Sequence, residues 1–103
     1  MSKSNDLKIQ NGHKTVTTAG TREPLMTGQD ARVLSVTIKA LSTNTDLVYV
    51  GDSTVASTNG FELAANETVS FSTEDPNQLI NLSSINLDVA VNGEGVSFTY
   101  VRA

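Results

Sequence analysis

Few residues in this 103-residue chain have types suited to covalent chemistry. It contains no Cys and a single histidine, His13. Lack of Cys removes thiol nucleophiles, disulfides, zinc fingers and iron–sulfur sites together. A serine attacks only when a neighbouring base takes its proton. Ser53 stands in the run Gly51-Asp52-Ser53, His13 lies far upstream between Gly12 and Lys14, and no Asp-x-x-His occurs. The sequence thus offers no base and orienting acid at the spacing a triad needs. The expected role of Gly51-Asp52-Ser53 is structural: Gly51 ends a strand, and Asp52 and Ser53 bond the backbone of the following turn. His13 lacks the neighbouring ligands of a metal site. Asp46, Asp52 and Glu62 are the carboxylates available to converge on calcium, without an Asp-x-Asp-x-Asp-Gly loop to hold it.

The Gly51-Asp52-Ser53 run resembles the nucleophile block of a hydrolase family, but those enzymes need a downstream Asp-x-x-His. Carboxylate pairs for glycoside hydrolysis are defined by separation in space, which a sequence does not show. Asn66-Glu67-Thr68 and Asn81-Leu82-Ser83 match the N-glycosylation pattern. With no secretion signal, chance in an Asn- and Thr-rich chain accounts for both. The expectation is a non-enzymatic protein without cofactor or metal.

Charge and hydropathy narrow the partners. The net charge of −4 argues against nucleic acid, and the basic residues lack the aromatic interleaving that stacks bases. The longest apolar run, Leu47-Val48-Tyr49-Val50, is too short for a transmembrane helix or a signal-peptide core, so no membrane partner is expected. Ser and Thr together number 24, with nine Asn, and hydrophobic residues make up 38%. One domain with a modest core is the expected organisation.

The elements that would position these residues are strands. Leu34, Val36, Ile38 and Ala40 alternate with Ser35, Thr37 and Lys39, a period of two that marks a half-buried strand. The alternation returns at Ile85, Leu87, Val89 and Val91, with Asn86 and Asp88 between, and at Val96, Phe98 and Tyr100. Val69 and Phe71 make a shorter copy, and Leu47–Val50 reads as a strand covered on both faces or at an interface. Turn signals separate the runs at Ser42–Asp46, Asn59-Gly60, Glu74–Asn77 and Asn92–Gly95. The last reads as a four-residue hairpin loop. No stretch has helical periodicity over eleven residues. The pattern predicts seven or eight short strands in an all-β antiparallel sandwich or jelly-roll-like domain over residues 33–103.

Residues 1–32 read differently, as an extended N-terminal arm with an irregular connection. The large aliphatic residues there are sparse: Leu7, Ile9, Val16, Leu25 and Met26. Residues 1–39 carry a net charge of +3 and residues 40–103 carry −7. A basic arm is complementary to an acidic body, its own or a neighbour's. Lys3, Leu7, Lys8, Ile9, Lys14, Val16 and Arg22 are therefore the candidate interface.

The segment from Ser35 to Val55, with Val48-Tyr49-Val50-Gly51, then Asn59-Gly60-Phe61-Glu62-Leu63 and Asn66-Glu67-Thr68-Val69-Ser70-Phe71, resembles small β-sandwich virion proteins of tailed bacteriophages. The closing Gly93-Glu94-Gly95-Val96-Ser97-Phe98-Thr99-Tyr100 fits the same family, and the likeness spans about residues 33–102. It implies a structural protein of the virion, made in the host cytoplasm, and foremost a capsid decoration or cement protein on the head shell. Its partners would be the major capsid protein or other virion proteins, and it would be a homo-oligomer, with a trimer as the expected state. A neck, tail or fibre-attachment component is the alternative within the virion. A carbohydrate-binding module is the alternative from another class, although two Tyr and no Trp make a poor sugar platform.

Overall fold

A computed structural model describes residues 7–27, 32–75 and 77–102. Among the described residues there are ten strand segments: β1 (Lys8–Thr15), β2 (Glu23–Pro24), β3 (Arg32–Val33), β4 (Ser35–Ala40), β5 (Val48–Gly51), β6 (Phe61–Leu63), β7 (Thr68–Ser72), β8 (Ile80–Asn81), β9 (Asn86–Val89) and β10 (Gly95–Arg102). One 3-10 turn, Leu82–Ser84, follows β8. The first sheet has the order β1-β10-β4-β7, the second β2-β9-β5-β6, and β3 pairs with β8. Every pairing is antiparallel. Apart from the β3–β8 pair, this order of eight strands in two sheets is that of a jelly roll.

Alternation places the core. Val36, Ile38 and Ala40 of β4 and Val96, Phe98 and Tyr100 of β10 are buried, whereas Thr37, Lys39 and Thr99 between them are exposed. Val48, Val50, Leu63, Leu87 and Val89 face them from the second sheet. Side chains of this size each contribute about 1.5–3 kcal/mol when fully buried. The rings of Phe98 and Tyr100 stack at 5.9 Å.

Three features depart from the pattern read in the sequence. The period-two signal passes over Lys8–Thr15, yet this segment pairs with β10 from Lys8↔Arg102 to Thr15↔Gly95. Residues 8–27 therefore contribute an edge strand and core residues to the sandwich, rather than only leading to a body that begins at 33. The side chains that share rows with the inward-facing residues of β10 are Lys8, Gln10, Gly12 and Lys14, so the strand is held by backbone pairing and carries no hydrophobic stripe. Val16, placed with the candidate interface from the sequence, is 0% exposed.

The second departure is at Asn92–Gly95. The turn is not a hairpin loop, because β9 lies in the second sheet and β10 in the first. The chain crosses between the layers here, and the Glu94 carboxylate binds a different loop by accepting from Thr45 N and Thr45 Oγ1, both at 2.7 Å, and from Asp46 N at 3.2 Å.

The third is in β9. Asn86 and Asp88, on the face expected to meet solvent, are buried, and Val91 is exposed. Loops cover this face: Gly20 N donates to Asp88 Oδ1 at 2.9 Å, and Val55 is buried where the 52–60 segment returns over β5. The same cover buries Tyr49, which accounts for the unbroken apolar run 47–50. Burial, and then the charges of Asp46, Glu62 and Asp88, raise the Tyr49 pKa.

Candidate functional site

The residues with any claim to chemistry are kept apart. His13 lies on β1 of the first sheet, and Ser53 follows β5 of the second. Asp52 is spent on its own turn: Oδ1 accepts from Thr54 Oγ1 at 2.6 Å and from Thr54 N at 2.8 Å. These bonds, with a smaller contribution from Arg22, lower its pKa. Gly51-Asp52-Ser53 is thus a strand end running into an Asx turn. Asp46 Oδ1 accepts from the neighbouring Leu47 N. Among the described residues no three His, Cys, Asp or Glu side chains are grouped to hold a metal ion. Asn66 occupies a left-handed turn at φ 73°, and Asn81 Oδ1 accepts from Ser83 N at the start of the 3-10 turn.

The candidate interface residues do not share one place. Leu7, Lys8 and Ile9 stand exposed at the start of β1, with Leu7 58% and Ile9 76% accessible. Lys14 and Arg22 lie on the same flank: Lys14 Nζ meets Glu23 Oε1 at 2.7 Å, and Arg22 is exposed. The lysine's hydrogen bond, then the one from Thr17 N, lowers the Glu23 pKa. Val16 belongs to the core, and Lys3 lies outside the described residues.

The outer face of the first sheet is the open one, since loops cover that of the second. The register aligns Ile9, Val101, Ser35 and Ser72 in one row, Asn11, Thr99, Thr37 and Ser70 in the next, and His13, Ser97, Lys39 and Thr68 in a third. Small hydroxyl and amide groups dominate these rows, and no carboxylate interrupts them. Thr37 Oγ1 and Ser70 Oγ share a hydrogen bond of 3.0 Å across the strands. A shallow depression of about 310 Å³ lies among Asn11, Thr37, Lys39, Thr68, Ser97 and Thr99. Such a surface presents shape and hydrogen bonds to a broad partner without large charge to desolvate.

The two flanks of the sandwich carry opposite charge. On one, β1 and the start of β2 present Lys8, Lys14 and Arg22, with Glu23 paired to Lys14. On the other, β6 and β7 present Glu62 and Glu67, with Glu74 and Asp75 just beyond the strand. A groove of about 400 Å³ on this acidic flank is lined by Phe61, Glu62, Leu63, Asn66, Glu67 and Thr68. Phe61 is 57% exposed there and Phe71 37%. Residue type alone does not mark this flank, because Phe61 and Phe71 resemble ordinary core positions in short strands.

No protein family, characterised protein or solved structure matched the chain in comparisons with known proteins.

Proposed function

We propose that this chain is a non-enzymatic structural protein of a tailed-phage virion, acting as a capsid decoration or cement protein that binds the assembled head shell. The observation that carries the reading is the open face of the first sheet: three rows without a carboxylate on a chain of net charge −4, continuous at one corner with exposed Ile9 and Leu7. The resemblance of residues 33–102 to phage β-sandwich virion proteins supports the same role. A component that binds only the assembled shell stabilises it by mass action, and repetition over a symmetric shell turns weak single contacts into firm retention. The major capsid protein is the partner, and the exposed start of β1 is the part of the chain that reaches it.

Co-sedimentation with purified head shells tests this. Because Lys8–Thr15 is a sheet strand and Val16 is core, the informative truncation removes residues 1–6 together with Leu7→Ser and Ile9→Ser. Full-length protein should pellet with shells, and the altered chain should bind at least about tenfold more weakly while melting as before. Full-length protein left in the supernatant contradicts the role, and undiminished binding by the altered chain contradicts the part given to this corner.

A further inference from the structure

We propose that copies of this chain associate side by side, the free edge of β1 in one copy adding to the free edge of β7 in the next, so that the first sheet continues from molecule to molecule. The inference does not depend on a virion role, and its test needs no particle.

The hydrogen-bonding phase of the two edges matches. Val16 N donates to Glu94 O, Leu41 N to Gly95 O, and Ala40 N to Glu67 O. Alternation along an antiparallel ladder then turns the backbone groups of Ile9, Asn11, His13 and Thr15 outward from β1, and those of Thr68, Ser70 and Ser72 outward from β7. The register places Ile9 with Ser72, Asn11 with Ser70 and His13 with Thr68 in the same three rows. Four strands is an even number, so β1 of a second copy in the same orientation meets β7 antiparallel and in phase. Every new pair then falls on a row where, among the described residues, the N–H and C=O groups of both edges point away from the sheet and have no further strand partner.

Charge selects this pairing over the alternatives. The β1 edge carries Lys8 and Lys14, the latter paired with Glu23, and the β7 edge is flanked by Glu67, Glu74 and Asp75. Two β1 edges repel each other, as do two β7 edges, whereas unlike edges attract. Each edge also exposes apolar surface, Ile9 on one and Phe71 on the other, beyond what an edge strand guarded only against pairing would show. The interface joins two different patches, so it propagates to a ring or a filament and does not stop at a two-fold dimer.

The test is molecular mass in solution by light scattering, with proline placed where the backbone N–H faces the free edge. Asn11→Pro blocks the β1 edge and Ser70→Pro blocks the β7 edge, each without taking a hydrogen bond from the internal ladder. Wild type should be multimeric, and its dissociation constant should rise at least about tenfold between low and high salt. Each variant alone should be monomeric. An equimolar mixture should stop at dimers, since each variant keeps one working edge. Should a proline variant fail to fold, Lys8→Glu with His13→Glu takes its place and should weaken association by about tenfold or more. A monomeric wild type, multimers that survive either edge block, or a mixture that stays monomeric would overturn the proposal.

Discussion

The Asn44 side chain holds Gly95 by both of its backbone groups. Nδ2 donates to Gly95 O at 2.8 Å, and Gly95 N donates to Oδ1 at 3.3 Å. Asn44 sits in the loop that carries the chain from β4 in the first sheet to β5 in the second, and Gly95 opens β10 in the first. One amide thus fastens two crossings between the layers at the same end of the sandwich. Glu94 on Thr45 and Asp46, and Asn92 Oδ1 accepting from Ala19 N at 2.7 Å, complete the fastening.

Asn44→Ala should lower stability by about 1–3 kcal/mol, because it strands a buried backbone N–H. Asn44→Asp keeps the acceptor but sets a buried carboxylate oxygen against Gly95 O, so at neutral pH it should be no more stable than Asn44→Ala. Urea denaturation of the three proteins checks the order. Equal stability of Asn44→Ala and wild type would refute the fastening.

Two glycines on either side of the β1–β10 ladder should differ in how they tolerate alanine. A Cβ at Gly95 would run into the carbonyl oxygen of Lys14 and the Cα of Thr15, which are backbone. A Cβ at Gly12 would meet the ring of Phe98, a side chain that can turn aside. Gly12→Ala should cost about 1–3 kcal/mol, the usual range for overpacking. Gly95→Ala should cost more and should free β1 from the sheet. Amide exchange at Lys8–Thr15 reads this directly: fast exchange in Gly95→Ala and slower exchange in Gly12→Ala. The reverse order would contradict the packing.

Acid should loosen the fold at several of these loops. Backbone and side-chain hydrogen bonds hold the Glu94 and Asp52 carboxyls below their ordinary values of 4.5 and 3.8, and Lys14 with Thr17 does so for Glu23. A depressed folded pKa contributes stability that is present above the unfolded value and lost as pH falls through the folded one. The melting temperature should therefore hold from neutral pH down to the carboxylate range and fall below it. Glu94→Gln should melt lower than wild type at neutral pH, and the gap should narrow as acid protonates the native carboxylate. A constant gap across that range would show that Glu94 acts through packing alone.

Strands with a hydrophobic stripe were legible in the sequence. Val36, Ile38 and Ala40, and Val96, Phe98 and Tyr100, alternate because one face must leave water, and both strands lie where the period puts them. β1 escaped because its stability is local to neither its propensity nor its pattern. It rests on a preformed β10 edge and on Gly12 yielding room to Phe98. Asp88 misled for a related reason, since a loop distant in sequence supplies the Gly20 N–H that permits its burial. Both cases depend on contacts between segments far apart in the chain, and a periodicity window contains no such information. For the candidate site, the exposed Leu7–Ile9 corner and the basic flank were readable from residue types. The matching acidic flank became visible only once the topology set β7 at the opposite edge of the same sheet.

The proposed cement role is tested most directly by copy number, measured by quantitative mass spectrometry of phage particles purified from the source of the chain. A protein that coats the shell should be present in hundreds of copies per particle. About six to twelve copies would move it to the neck or tail, where closed rings set the count, and its absence from particles would contradict a virion role altogether.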